Sequence, residues 1–242
     1  MKQDNLKSLL MAKNSTLTSA DLYFYGDIVS NWCGAWDDAD QYPESIRNFL
    51  SENDGKELNI HIHSGGGSVF AGLAIYNMLL RHKGKKTVYI DGIAASIASV
   101  IALAGDEVIM PSNAFMMVHK PTVSYTGNAC ELRKMADDLD DMETGILNVY
   151  KAHLADGVSI ETVKELVNAE TWLNGEEAAK YFNITVSDTK EYAAQLAGDT
   201  MKCYANTPKE IIKLANAADD IAVKKTASKI KSLVVQGISK GV

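Results

Sequence analysis

TVYIDGIAASIASVIALAG, residues 87–105, is the stretch on which the fold turns. Its first residues are β-branched and aromatic, as a strand requires, and Gly92 offers a turn. The run of Ala, Ile, Ser and Val over 95–104 then reads as a buried helix. Two serines, Ser96 and Ser99, lie inside it. The same grammar precedes it. ELNIHIH, residues 57–63, alternates as a strand, Ser64-Gly65-Gly66-Gly67 breaks it, and 68–82 carries Ala71, Ile75, Met78 and Leu79 at helical spacing. Residues 21–29 read as a first strand ended by Gly26-Asp27, and 43–52 as a helix opened by Pro43. Val108–Met110 and Phe115–Val118 read as further short strands. Strand, turn, helix, strand in this order predicts βαβ units and an α/β fold with a mainly parallel sheet.

Residues 127–155 follow a different rule. Leu132, Met135, Leu139, Met142, Ile146 and Val149 recur at 3-4-3-4-3 spacing, which predicts one long helix with a narrow apolar stripe. Such a stripe suits docking on a partner subunit or on the helix's own domain. Shorter helices are expected over 159–167, opened by Ser159, and over 174–182, where Asn174 and Glu177 have capping-box spacing. Residues 199–242 hold eight Lys against four Asp/Glu, a net of +4 in a chain whose total is −7. The reading is therefore an N-terminal arm (1–19), a main domain (20–192) and a basic amphipathic extension (193–242).

Composition excludes several classes. The acidic balance does not suit nucleic acid. No run approaches the ~18 apolar residues of a membrane span, and the first 20 residues lack the apolar core of a secretory signal. Cys33, Cys130 and Cys203 are odd in number and widely spaced, which fits a reducing, cytoplasmic setting. NWCGAW at 31–36 lacks the second cysteine of a redox pair. Gly65–Gly67 has no following Gly-Lys-Ser/Thr, so the chain itself is not expected to hydrolyse ATP. No cofactor is expected.

Ser96 follows the Gly92 turn near a helix start, where free N–H groups and the helix dipole gather. A serine in an Ala-rich helix is otherwise a packing residue, the reading preferred for Ser99. A nucleophilic serine needs a base. His82, between Arg81 and Lys83, reads as solvated, and His153 continues the heptad spacing. His61 and His63 share a strand face but lack a third ligand, so no metal is expected. His119 ends the FMMV strand, where sites of α/β sheets collect. The glycines at 65–67 allow close approach of a ligand, and an N–H from this loop with one after Ser96 can form an oxyanion hole.

HSGGGSVFAGLAIYNML, DGIAASIASVIALAGD, FMMVHKP and AETWLNGEEAAKYF, in this order and spacing, resemble the successive motifs of the Clp-type serine peptidase (ClpP) family. The likeness covers about residues 20–190 and is nearest the phage branch, the ClpP-like prohead or head-maturation proteases. It implies a crotonase-like spiral of ββα units with 127–155 as a protruding handle helix. It also implies Ser96 as nucleophile, His119 as general base, and the N–H groups of Gly66 and Ile97 as oxyanion donors. The family's third residue, an aspartate, is replaced by Glu170, with Asp188 as the alternative acid. Gly65 stands where the family often has proline. The substrate is expected to lie extended between 66–70, with Gly67, Ser68 and Val69, and the segment after His119, with Pro121 and Thr122.

The resemblance further implies homo-oligomeric rings, stacked through 127–155. It implies protein substrates, scaffold and capsid in an assembling head, with no nucleic acid or membrane partner. The sequence does not indicate an unfolding ATPase partner. The basic extension is expected to hold the enzyme to capsid material or to be cut itself. Two rivals are a catalytically silent head or scaffold protein of the same fold and a crotonase-type acyl-CoA enzyme.

Overall fold

The computed structural model describes residues 15–31, 40–188 and 204–208. The chain divides into two compact units, 1–194 and 195–242. Residues 32–36 of NWCGAW, most of the N-terminal arm and nearly all of the basic extension lie outside the described residues.

In the first unit the strands are β1 (Ser19–Phe24), β2 (Glu57–Ser64), β3 (Lys86–Ala95), β4 (Glu107–Pro111), β5 (Phe115–Val118), β6 (Thr171–Asn174) and β7 (Thr185–Ser187). The helices are α1 (Pro43–Glu52), α2 (Val69–Arg81), α3 (Ile97–Ala102), α4 (Ala129–Ala152), α5 (Ile160–Asn168) and α6 (Gly175–Ala178). They form a seven-stranded sheet whose main path runs β1-β2-β3-β4-β7, every pairing parallel. This is the mixed α/β fold with a parallel sheet expected of a ClpP-like chain. The alternating strands bury Leu22, Phe24, Ile60, Ile62, Val88 and Ile90, over which α2 lays Ile75 and Leu79. Each such side chain stabilises the fold by roughly 1.5–3 kcal/mol.

β3 organises the sheet. Its first half, Thr87–Tyr89, pairs with β4, and its second half, Ile93–Ala95, pairs with β5. A register shift against β2 separates the halves, between Ile62 and Ser64. Gly92 is therefore not the turn that the sequence suggests; the strand runs through it to Ala95. The glycine is there because His63 packs on it. A Cβ at residue 92 would fall 2.5 Å from His63 Nδ1, and glycine within a strand commonly marks such a bulge or close approach. The turn comes instead at Ser96. The helix behind it is shorter than expected, Ile97–Ala102 rather than 95–104.

Other boundaries moved for local reasons. β1 stops at Phe24 rather than running to residue 29. Ser68 is the N-cap of α2, its Oγ accepting from the Ala71 N–H. The helix expected over 174–182 is the single turn α6, though its Asn174/Glu177 capping box is present. His82 is not solvated. It is the C-cap of α2, 8% exposed, with Nε2 2.7 Å from the Lys56 carbonyl oxygen.

The second half of α4 docks on its own domain, one of the two readings of its stripe. From Glu143 onward it enters the body, burying Glu143, Ile146, Val149 and Tyr150. Before that it projects as a handle, with Leu132 47% exposed. Among the described residues no helix is long and apolar enough to cross a membrane. Cys130 is a free, exposed thiol; Cys33 and Cys203 lie outside the described residues.

Candidate active site

Ser96 occupies the elbow between β3 and α3 with φ 55° and ψ −129°. A non-glycine residue there is strained by about 1–3 kcal/mol and persists only if its surroundings over-determine it. They do so here. The Ser96 N–H donates to the Met117 carbonyl of β5 at 2.9 Å, and the Ser96 carbonyl accepts from both the N–H (3.0 Å) and the Oγ (2.6 Å) of Ser99. Ile97, the first residue of α3, carries one of the N–H groups that a helix leaves unpaired at its start.

β5 carries His119 to this elbow. The ring follows Val118, the last strand residue, and its Nε2 lies 2.7 Å from Ser96 Oγ. For Nε2 to accept the hydroxyl proton, the ring's own proton must sit on Nδ1. Burial lowers the His119 pKa below the ordinary imidazole value, and the Glu170 carboxylate opposes that shift. The ring is therefore neutral at pH 7 and able to take a proton.

Glu170 reaches the site through β6. The antiparallel register pairs Val118 with Thr171, so one further step sets His119 opposite Glu170. Glu170 itself has φ 49°, a second strained non-glycine residue. It sits where α5 ends and the chain reverses, its N–H donating to the Val167 carbonyl at 3.3 Å. Asp188 lies exposed after β7, which pairs with β4. The acidic charge that acts on His119 is Glu170's.

Ser99 is a packing and bridging residue. It is fully buried, and its Oγ lies 2.6 Å from the Ser96 carbonyl oxygen and 2.8 Å from the Tyr150 hydroxyl. Burial pushes the Tyr150 pKa upward, so that neighbour is no base.

The glycine loop stands against the elbow. Gly66 (φ +100°) is so close that a Cβ there would meet the Ala95 carbonyl oxygen and Ser96 Cβ, each at 2.7 Å. At Gly67 (φ +143°) a Cβ would meet the Ile28 carbonyl oxygen at 2.1 Å. Ser64 locks the loop, its Oγ donating to the Gly26 carbonyl at 2.6 Å and accepting the Gly66 N–H at 3.1 Å. The Ile28 N–H donates to the Gly66 carbonyl, and the Ser68 N–H donates to the Ile28 carbonyl. That bridging pattern turns Gly67's own N–H to the opposite side.

Of the expected substrate-contacting residues, Gly67 and Ser68 precede the helix, whereas Val69 is its first helical residue. Extended backbone on this side therefore ends at Ser68 rather than residue 70, because helical backbone presents no strand edge. Pro121 and Thr122 lie in the segment 119–128, which has no helix or strand; Thr122 is exposed and Pro121 half-buried.

The remaining histidines support the sheet and the helices. His61 stacks between Tyr23 and Tyr89, with its Nδ1 2.9 Å from Asp91 Oδ2. His63 is buried under Gly92, and neither ring nitrogen has a hydrogen-bond partner among the described residues. Among those residues no group of three potential ligands could hold a metal. His153 caps α4 and meets the Tyr76 hydroxyl at 2.9 Å.

Sequence reasoning missed Lys120, Glu143 and Tyr150. Glu143 lies outside the apolar stripe of the long helix, yet it is 6% exposed and its Oε2 lies 3.0 Å from Lys120 Nζ. The available signal was spacing: Glu143 is four residues after Leu139 and three before Ile146, flanking the stripe. Compared with protein-family models, residues 36–184, more than half of the chain, match the one described as Clp protease.

Proposed function

The chain belongs to the Clp protease family, and from that membership and the Ser96–His119 geometry we propose that it is a serine endopeptidase acting in phage head maturation. The family's members form oligomeric rings, act on protein substrates and are serine-type peptidases. The observation that carries the catalytic reading is the 2.7 Å bond from His119 Nε2 to the hydroxyl of a strained elbow serine.

In the proposed reaction Ser96 Oγ attacks the scissile carbonyl while His119 Nε2 takes its proton. His119 returns that proton to the leaving amine. Water, deprotonated by the same nitrogen, then hydrolyses the acyl-enzyme. Glu170 holds the Nδ1–H tautomer and stabilises the imidazolium. The Ile97 N–H supplies one oxyanion donor. The Gly66 N–H, expected to be the other, has Ser64 Oγ as its present partner. The proposal therefore gives that share to the next N–H in the loop, Gly67's. Substrate backbone lies between Gly67–Ser68 and the open segment from Pro121, which favours tolerance of sequence.

The phage role rests on the likeness of the four motifs to the head-maturation branch. In that role the substrates are scaffold and capsid proteins, and the site of action is the host cytoplasm or the assembling head. The bare half of α4, with Leu132, suits stacking of one ring on another. Neither rival has a specific observation in its favour: a hydroxyl bonded to a neutral imidazole serves acyl transfer, not hydration of an acyl-CoA.

The test is intact-mass spectrometry after fluorophosphonate treatment of the wild type, Ser96→Ala and Ser99→Ala. Labelling lost in Ser96→Ala and retained, at a lower rate, in Ser99→Ala is the expected result. No label on the wild type would sink the catalytic reading. Co-expression with scaffold and capsid proteins tests the biological role. Substrate termini that do not depend on Ser96 would remove it.

A further inference from the structure

The handle helix touches a neighbour of each half of the catalytic pair, Lys120 beside His119 and Ser99 one turn after Ser96. Resting on the endopeptidase reading, we propose that α4 is a brace whose Glu143 and Tyr150 are positioning residues. Glu143 acts on His119 through Lys120, and Tyr150 acts on Ser96 through Ser99.

His119 sits one residue beyond the last β5–β6 pair, and from 119 to 128 the chain has neither strand nor helix to place it. What holds this segment just beyond the ring is Lys120, whose Nζ meets Glu143 Oε2 at 3.0 Å. The Glu143 side chain is 8% exposed, and its Oε1 has no hydrogen-bond partner among the described residues. A half-satisfied buried carboxylate is a poor stabiliser. Its value here is where it puts Lys120.

On the other side, Tyr150 is 1% exposed and its hydroxyl lies 2.8 Å from Ser99 Oγ. That Oγ is 2.6 Å from the carbonyl oxygen of Ser96. The strained elbow thus receives one of its constraints from α4. Glu143 and Tyr150 are seven residues apart, two turns, hence on one face about 10 Å apart along the axis. One rigid rod therefore adds a tie to side chains beyond the β3–β5 ladder, which reaches only to Ala95–Met117 and the Ser96 N–H bond to the Met117 carbonyl.

The experiment uses the full-length, assembled protein and measures peptidase kinetics, fluorophosphonate labelling of Ser96 and thermal unfolding. The variants are Glu143→Gln, Lys120→Met, the two combined, and Tyr150→Phe. Since misplacement of a reacting group by about 1 Å can cost 10²-fold, each single variant is expected to lose about 10- to 100-fold in kcat and in labelling rate. KM should stay within about twofold. Glu143→Gln and Lys120→Met break the same link, so the double variant should be no slower than the slower single one. If Glu143→Gln does not fold, Tyr150→Phe carries the same kcat-against-KM comparison. Losses that fall on KM, losses that multiply in the double variant, or wild-type rates throughout would overturn the brace while a labelled wild type leaves the endopeptidase standing. A wild type unlabelled at Ser96 would overturn the endopeptidase reading and the brace with it.

Discussion

Acid should unfold this protein through His63, and substitution of that one residue should remove much of the effect. The ring is 5% exposed, packs on Gly92 and the edge of Tyr25, and finds no hydrogen-bond partner among the described residues. Burial pushes its pKa down to about 4, against a smaller upward pull from Asp91. In the unfolded chain the same ring titrates near 6.5. Between these two values the unfolded state binds more protons than the folded state, so stability rises with pH across that window. The contribution is intact above pH ~6.5, falls as pH drops towards 4, and changes no further below 4. At about 1.4 kcal/mol per tenfold difference in proton affinity, the full swing is about 3 kcal/mol, of which about 2 is already lost at pH 5. Set against a typical total of 5–15 kcal/mol, that is a large share. Urea unfolding at pH 4, 5, 6 and 7, followed by tryptophan fluorescence, measures it. In His63→Leu the curve of stability against pH should flatten over this window, whatever the substitution costs at pH 7. Wild-type and His63→Leu curves that run parallel from pH 7 to pH 4 would refute the reasoning, because they would place the acid sensitivity elsewhere.

Three other expectations concern the site and its supports. With the His119 pKa lowered by burial, kcat/KM should rise with pH through a midpoint below the ordinary imidazole value. Removing the opposing carboxylate in Glu170→Gln should move that midpoint lower still as well as slow the reaction; a limb that moves up or stays put contradicts the electrostatic assignment. Gly72→Ala puts a Cβ 2.1 Å from Ile97 Cγ1, so α2 and α3 must separate. The expected cost is about 1–3 kcal/mol, read as a lowered Tm, with partial recovery on adding Ile97→Val. Leu132→Asp on the exposed half of α4 should reduce the assembled mass seen by analytical ultracentrifugation without lowering the Tm of the separated subunit.

Much of this architecture is legible in the chain because its signals are local. The alternation of ELNIHIH, the glycine break and the helical spacing after it specify β2 and α2 almost to the residue. Ser159 and Asn174 mark their helix starts because capping is chemistry within four residues. Ser96 and His119 can be singled out because an elbow and a strand end are both local features. Where reading failed, the reason lay across the fold. Gly92 looks like a turn, but its cause is the His63 ring one strand away. His82 looks solvated between two cations, yet the Lys56 carbonyl claims it. Glu143 reads as one more charge on a polar helix until Lys120, 23 residues earlier, is brought beside it. Glu170 lies between: its motif draws the eye, but its place opposite His119 follows only from the β5–β6 register.

The divided pairing of β3 bears on the order in which the chain folds. Its second half meets β5 across some twenty residues, Ala95 beside Met117, so only α3 and β4 separate the elbow from the strand that carries His119. β5 meets β6 only after the chain has passed through α4 and α5, Val118 beside Thr171. The longer closure costs more entropy and slows the pairing. We therefore expect Ser96 and His119 to meet early and Glu170 to arrive last, in refolding and at the ribosome alike. Pulse-labelled hydrogen exchange reads this order as protection of the β3–β5 amides ahead of those between β5 and β6; simultaneous protection would refute it. On the proposed endopeptidase reading, a chain that folds in this sequence makes its nucleophile and base while the acid that orients them is still being synthesised, so the polypeptide has a built-in delay between acquiring a shape and acquiring the power to cut.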